Sequence, residues 1–311
     1  MTATRTLRVG TRASALARTQ TGLVVTALGA PAEIIAIVTE GDRSSAALTQ
    51  IGGTGVFVSA LRTALLTGEI DVAVHSYKDL PTAAADGVVI AAVPPREDPR
   101  DALVARDEMT LGELPAGSRV GTGSPRRAAQ LRALGLGLEI VDLRGNVDTR
   151  LGKVASGELD AVVLAYAGLR RLGRASEVTE VLDPIQVLPA PAQGALAVEC
   201  RSSDDDAIAV LAALNSTDTA SAVTAERALL AALEAGCSAP VGALAEVVEG
   251  DSVGGLARLE VFLRGSVTAI DGSSAVRLSG TGASTDADGV GRRLAAELLA
   301  NGADQMMGSS I

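Results

Sequence analysis

The sequence predicts an α/β protein: two similar α/β domains in tandem, each built on a largely parallel sheet, with a smaller α/β domain at the C-terminal end. Three observations predict it. Short apolar runs alternate with Ala/Leu-rich helical segments, the pattern of βα units. Two pieces of the sequence occur twice. Proline clusters punctuate the chain between its parts.

The first repeated piece is an apolar run, then Val-Gly-Thr, then a helical segment. It stands at Val9-Gly10-Thr11-Arg12-Ala13-Ser14 and again at Val120-Gly121-Thr122-Gly123-Ser124-Pro125. Ser14 and Ser124 sit where helix caps are expected. The second piece is GEIDVAVHSYKDL, residues 68–80, against GELDAVVLAYAGL, residues 157–169, aligned without a gap. In each an aspartate precedes a short buried strand. Tandem α/β domains of this kind are expected to face each other across a cleft. Their ligands are expected at the C-terminal ends of the strands, where helix N-termini present free N–H groups.

Pro94-Pro95 and Pro99 mark the exit from the first domain, and Leu188-Pro189-Ala190-Pro191 the exit from the second. GALAVECR then reads as a strand returning to the first domain. The expected division is therefore 1–97 with about 195–213, then 98–194, then 217–311. In the last part a helix is expected from Thr217 to Glu234, stopping at Gly236. Strands are expected at EVFLRGSV and AVRLSG, and a final helix around GVGRRLAAELLANG.

With 311 residues, the chain can bury a large core. Its 47% apolar content is ordinary for a soluble protein, and no apolar run reaches the roughly 20 residues of a membrane span. The segment MTATRTLRVG lacks a signal-peptide core. The expectation is a cytoplasmic protein without a membrane partner. Two cysteines give no disulfide framework, and a single histidine excludes multi-histidine metal sites, so no metal is expected. A net charge of −10 argues against nucleic acid as a partner. Yet residues 119–174 hold ten basic against five acidic side chains. Arginine grips carboxylates and phosphates bidentately, so this cluster suggests an anionic ligand beside the alternative of solvated helix faces.

DVAVHSYKDLP, residues 71–81, gathers the single histidine, one of two tyrosines and one of two lysines. The repeat weighs them. Where the first copy has His75, Lys78 and Asp79, the second has Leu164, Ala167 and Gly168, so the fold does not demand polar groups there. His75 aligns with a core position and reads as a buried supporting residue. Tyr77 and Tyr166 match and are expected to pack. Cys200 lies in a strand-like run and reads as core. Cys237 follows a helix stop, where a thiol is either exposed and reactive or merely structural. The polar, Gly-rich stretch 39–59 reads equally as a lid or a plain surface loop.

With these residues assembled, the sequence resembles the porphobilinogen deaminase (hydroxymethylbilane synthase) family over essentially its whole length. The carriers are GTRASALA at 10–17, HSYKDLP at 75–81, GTGSPRRAAQL at 121–131 and LRGNVDTRL at 143–151. LAYAGLRRLG at 164–173, PAQGA at 191–195 and EAGCSAP at 234–240 complete them. Each is weak alone, but their order and spacing are specific. The resemblance implies two periplasmic-binding-like α/β domains with a cleft, plus a small C-terminal α/β domain. It implies a monomeric transferase of tetrapyrrole and haem biosynthesis. Four porphobilinogen molecules are joined head to tail into hydroxymethylbilane (preuroporphyrinogen), with release of ammonia.

The family's covalent dipyrromethane cofactor maps by its thioether onto Cys237, and its catalytic acid onto Asp79. Positive charge develops on pyrrole nitrogens as ammonia leaves and again as the new bond forms, which a fixed carboxylate stabilises. Every pyrrole also carries an acetate and a propionate. The resemblance puts their contacts on Arg12, Ser14 and Lys78, then on Thr122, Ser124, Arg126 and Arg127. Arg144, Arg150, Arg171 and Gln193 follow. Thr54 and Phe57 fall in the lid motif. Departures are Thr54, where many relatives carry lysine, Ala192 for a glycine, and Pro125 for a leucine. The competing class is a non-catalytic two-domain binding protein for a small anion, in which Cys237 and Asp79 have no role. A Schiff-base enzyme using Lys78 is a weaker rival, because Asp79 would keep the amine protonated.

Overall fold

The computed structural model describes residues 5–37, 55–235, 239–250 and 258–307, the side chains of 55–57 excepted. The chain starts with β1 (Leu7–Arg12), α1 (Ala15–Leu28), β2 (Ala32–Ile37), α2 (Gly55–Leu66), β3 (Val72–Ser76) and β4 (Val88–Ala92). It continues with β5 (Asp101–Ala105), β6 (Arg119–Thr122), α3 (Pro125–Ala133), β7 (Glu139–Asp142), α4 (Val147–Ala155), β8 (Ala161–Ala165), α5 (Tyr166–Arg171) and β9 (Glu180–Val181). β10 (Leu196–Arg201) and α6 (Asp205–Leu211) follow. By compactness the chain forms two units, Met1–Glu97 with Ala195–Ala220, and Asp98–Gly194 with Ser221–Ile311.

The first unit holds a five-stranded sheet in the order β2-β1-β3-β10-β4, and the second holds one in the order β7-β6-β8-β5-β9. The orders correspond strand for strand. In each sheet two parallel pairings flank the repeated pieces, and one strand, β10 or β5, runs antiparallel to both neighbours. GALAVECR thus joins the first sheet, as its apolar run suggests. The repeats fix the register too. Val9 and Gly10 face Val72 and Ala73, while Val120 and Gly121 face Ala161 and Val162, the same residues of the two alignments. The glycine of each Val-Gly-Thr is a packing requirement. A Cβ would lie 2.3 Å from Ile70 Cδ1 at Gly10 and 2.6 Å from Leu159 Cδ1 at Gly121, and these two obstacles are themselves repeat equivalents.

Alternation along the strands builds a core on each face. In the first sheet Val72, Val74, Val198 and Cys200 pack with Val24 of α1 and Leu211 of α6. Ala73 packs on the other face with Leu61 and Leu65 of α2. The second sheet repeats this, with Leu131 of α3 against Val120 and Val163, and Leu151 of α4 against Val162 and Leu164. The rest of the chain forms α7 (Thr217–Ala232), then an antiparallel meander of β11 (Val241–Glu249), β12 (Leu259–Thr268) and β13 (Ala275–Ala283), then α8 (Ala287–Ala300). Leu229 of α7 and Leu294 and Leu298 of α8 cover the sheet at Val261, Leu263 and Val267.

The aspartate that opens each second repeat is a clamp. Asp71 donates its N–H to Arg8 O at 2.8 Å, and its carboxylate accepts the Arg8 N–H at 3.0 Å. The guanidiniums of Arg8 and Arg201 close on it at 2.9 and 3.0 Å, joined by Arg5. Asp160 binds Arg119 in the same two ways, at 2.9 and 2.7 Å, and takes Arg106 Nε at 2.6 Å. Arg201 and Arg106 occupy the same step of the antiparallel strand. Asp71 has no exposure, yet Arg5 and Arg8 above it are 52% and 39% exposed, so arginine side chains rather than hydrocarbon cover it.

Burial opposes ionisation of Asp71, but the hydrogen bonds from Arg8 and Arg201 prevail and hold it below the ordinary carboxylate range. The Arg119 amide does the same for Asp160. A depressed folded pKa gives stability that is present above the unfolded value, about 4, and lost as pH falls below it. Asp71→Asn is expected to cost about 1–2 kcal/mol at pH 7 and to flatten the loss of stability between pH 5 and 2. Asp160→Asn, whose carboxylate is 27% exposed, should cost less. Urea midpoints across that pH range check both, and the reverse ranking would refute the account.

Candidate active site

The parallel strands of each sheet end at one edge, and the residues singled out in the sequence collect there. In the first unit β1 ends on Arg12. Ser14 caps α1, its Oγ accepting the Ala17 N–H at 3.3 Å. That cap uses a lone pair and leaves the hydroxyl proton to donate. The neighbouring β3 ends on Ser76 and passes into a single 3₁₀ turn, Tyr77–Asp79, closed by the Leu80 N–H on Tyr77 O at 3.1 Å. Two further bonds fix this turn. Ser76 Oγ donates to Oε1 of the buried Gln20 on α1 at 3.1 Å, and the Tyr77 N–H donates to Ala195 O at 3.0 Å. Lys78 and Asp79 project half-buried from it. Among the described residues, no hydrogen bond or ion pair engages the carboxylate of Asp79.

In the second unit β6 ends on Thr122, whose Oγ1 accepts the Ser124 N–H at 3.2 Å. Ser124 caps α3 through the Arg127 N–H at 3.5 Å, and Pro125 supplies a preset first helical residue. Arg126 and Arg127 therefore occupy the first turn, and both are buried. They converge on Asp101, the fully buried first residue of β5. Arg126 Nη1 lies 2.8 Å from Oδ2, and Arg127 Nη2 2.7 Å from Oδ1. Arg126 also donates to Leu188 O at 2.6 Å and Arg127 to Val163 O at 3.1 Å. Gln193 completes the knot, donating to Asp101 Oδ1 at 2.7 Å and to Pro99 O at 2.8 Å, and accepting from Arg127 at 3.3 Å. Burial opposes ionisation of Asp101, and the two guanidiniums hold its pKa low nonetheless.

One carboxylate thus faces two guanidiniums, and the excess of positive charge grows outward. Arg144, in the loop after β7, contacts Asp142 at 3.2 Å. Arg150, on the first turns of α4, donates to Gly145 O at 2.8 Å. Burial lowers the pKa of Arg150, and repulsion from Arg127 and Arg144 lowers it further, with only Asp142 opposing. Such mutual repulsion is relieved by an anion. The N-terminus of α4, capped by Asn146 on the Thr149 N–H at 2.9 Å, adds its dipole at the same edge. Arg171, the last residue of α5, donates to Gly194 O at 2.6 Å.

Thr54 and Cys237 lie outside the described residues, as does the side chain of Phe57. Asp101, Glu199, Gln20 and Glu226 were not singled out from the sequence. A lone acid inside an apolar run, DALVA for Asp101 and LAVEC for Glu199, is the signal that marks the first two. Glu226 is fully buried on α7, where it accepts the Ala192 N–H at 2.5 Å and the Ala245 N–H at 2.8 Å. It thereby anchors the turn that presents Gln193. Ala192, standing where the family has glycine, has a left-handed φ of 60°.

Among the described residues, no group of side chains could hold a metal ion, and no helix is long and apolar enough to cross a membrane. Residues 7–209 match the family model described as "Porphobilinogen deaminase, dipyromethane cofactor binding domain", and residues 220–300 match "Porphobilinogen deaminase, C-terminal domain". The porphobilinogen deaminase of Mycobacterium tuberculosis H37Rv is 62% identical over 304 residues, covering 97% of this chain and 98% of its own. That of Mycobacterium leprae is 60% identical over 306 residues, covering 97% and 96%. The methionine-binding protein MetQ, at 14% identity and a TM-score of 0.43, covers 66% of this chain and 88% of its own, a likeness that adds nothing to the strand orders already given. With both domain models matched in sequence along nearly the full chain, this protein belongs to the porphobilinogen deaminase family.

Proposed function

We propose that the chain is a hydroxymethylbilane synthase of tetrapyrrole biosynthesis, acting in the cytoplasm as a monomer, with the three-domain division 1–97 and about 195–213, 98–194, and 217–311. Four porphobilinogen molecules are joined head to tail. In each addition a C–N bond of the incoming substrate breaks and ammonia leaves. A C–C bond then forms to the terminal pyrrole carbon of the chain, which gives up its proton. A dipyrromethane held by a thioether on Cys237 supplies the first such carbon.

The observation that carries the reading is the surplus of guanidinium over carboxylate at the edge of the second sheet. It suits a ligand rich in acetate and propionate groups, the dipyrromethane included. Arg126 and Arg127 are already committed to Asp101, so they act as a fixed positive wall with one charge in excess. Arg144 and Arg150 stand further out, and Thr122 and Ser124 can add hydroxyl donors. In the first unit Arg12, Ser14 and Lys78 take carboxylates in this reading. Asp79 has the complementary role. Its carboxylate accepts pyrrole N–H groups, stabilises the cation left when ammonia departs, and takes up the proton released from the terminal pyrrole carbon that attacks it. A simple anion-binding protein would use the arginines but has no work for Asp79, and the family membership does not favour it.

Asp79→Asn keeps the shape and removes the charge. It should lower turnover by roughly two to three decades, the loss of a preorganised electrostatic contact of about 3–4 kcal/mol, while substrate carboxylates still bind. Mass spectrometry should then show covalent intermediates accumulating. A near-normal rate for this variant would remove Asp79 from the chemistry.

Cys237→Ser should give a folded chain of unmodified mass with no usable primer, whereas Cys200→Ser should keep the added mass of two pyrrole units. Cys200 is buried in β10 and its thiol is pushed up to about 11 by that burial, which suppresses the thiolate. Retention of the extra mass in Cys237→Ser would reject the attachment point. For the cation cluster, Arg144→Leu and Arg150→Leu should each slow primer assembly or early elongation. Unchanged turnover and an unchanged distribution of intermediates in both would make it a solvated face.

A further inference from the structure

Glu199 is an acid inside the otherwise apolar β10, and the chemistry proposed above makes no use of it. Its side chain is buried on the α2 face of the sheet. Arg62 of α2 clasps it, with Nη2 2.6 Å from Oε1 and Nε 3.2 and 3.1 Å from the two oxygens. His75 of β3 packs its Nε2 3.1 Å from Oε2, a close approach that lacks the alignment of a hydrogen bond. Burial opposes ionisation, but contact with His75 and Arg62 outweighs it and holds the acid at about 2.

The second sheet is an internal control. Ala73 faces Glu199, Val162 faces Val104, and the repeat equates Ala73 with Val162, so Glu199 corresponds to Val104. The gapless alignment equates His75 with Leu164 and, carried back into the helices, Arg62 with Leu151. The helix ends support this. Gly68 and Ile70 donate to Leu65 and Ala64, and Gly157 and Leu159 donate to the equivalent Val154 and Lys153. Val104, Leu151 and Leu164 are buried in one apolar cluster. The fold is therefore satisfied by hydrocarbon at all three places. A buried ion pair is often no more stable than its apolar replacement, so stability does not account for Arg62 and Glu199 here.

The copies also differ at the exit from the strand. The one with the polar set leaves it through Lys78 and Asp79, and the one with hydrocarbon through Ala167 and Gly168. We infer that Arg62 and Glu199 are positioning residues for the reaction, fixing through His75 the end of β3 and so the turn from which Asp79 projects. Bidentate ionic contacts impose one orientation, which apolar packing does not. The Glu199 carboxylate fixed in this way lies against His75 at the strand end on the α2 face, while the Ser76–Gln20 bond holds that end from the α1 face. The inference rests on the role of Asp79 proposed above.

The test transplants the sister residues: Arg62→Leu, Glu199→Val and His75→Leu together in the full-length holoenzyme. The variant should fold with an unfolding midpoint at or above the native one and should carry the cofactor mass. Its kcat should nevertheless fall about 10- to 100-fold, the scale of a small misplacement of a reacting group, with KM for porphobilinogen moved by no more than about twofold. Asp79→Asn added to this background should cost clearly less than in the native chain, because the two changes disturb one device. A folded triple variant with native kcat would overturn the inference and leave Asp79 standing, provided Asp79→Asn alone is slow. If Asp79→Asn alone runs at the native rate, the underlying reading fails instead. Should the triple variant not fold, His75→Leu alone decides, since it leaves the Arg62–Glu199 pair intact. A kcat lowered at least about fivefold at unchanged KM supports positioning, and a native kcat overturns it.

Discussion

A carboxylate buried on the antiparallel strand of each five-stranded sheet organises the polar interior of this chain. β5 carries Asp101 and β10 carries Glu199, and neither is exposed by more than 1%. In so little solvent a carboxylate stays ionised only if cations reach it, so each one dictates its surroundings. Asp101 draws in the first turn of α3 through Arg126 and Arg127, and Glu199 draws in α2 through Arg62. Removing Asp101 would strand two buried guanidiniums, a change that typically costs about 3–5 kcal/mol.

The two copies differ by where this charge was placed. Leu196 faces Ser76 as Asp101 faces Ala165, so the site of Asp101 is a leucine in the first sheet. The cap bonds of Ser14 and Ser124 equate Arg126 and Arg127 with Leu16 and Ala17. Glu199, conversely, is Val104 in the second sheet. Each copy thus has an ionic knot where the other has hydrocarbon. The backbone, the register and the aspartate clamps at Asp71 and Asp160 are common to both. Charge was varied inside a scaffold that hydrocarbon alone can hold.

Much of this was legible in the sequence because it is local or repeated. The paired Val-Gly-Thr turns and the strands beginning at Val72 and Ala161 foretold two equivalent sheets, and the serines at 14 and 124 foretold their caps. The returning strand showed itself as an apolar run after a proline cluster. What was not legible depends on partners far along the chain. Nothing near Glu199 announces Arg62, 137 residues away, because sheet register and not periodicity brings them together. The same holds for Asp101 with Gln193, and for Glu226 with Ala192. β11 escaped notice because its Gly/Ala-rich start weakens the strand pattern, and β9 because two residues carry no pattern at all.

The duplication also separates two demands that one strand end could not meet together. Tyr77 and Tyr166 begin the two exits alike, each donating its N–H to the residue before the antiparallel strand, Ala195 or Arg100. After that the exits diverge. Pro81 stops the first after one turn, which leaves Lys78 and Asp79 at the tip. The second runs on as α5 to Arg170 and Arg171. At the second strand end the available acid, Asp101, lies between two guanidiniums, and the knot as a whole keeps one positive charge in excess, which does not favour an incoming cation. Asp79 has no such commitment among the described residues. A reaction that must hold many carboxylates and also stabilise a cation needs both conditions. In the function proposed above, the excess of fixed positive charge on the second sheet serves the carboxylates, and Asp79 of the first sheet, unpaired among the described residues, serves the cation.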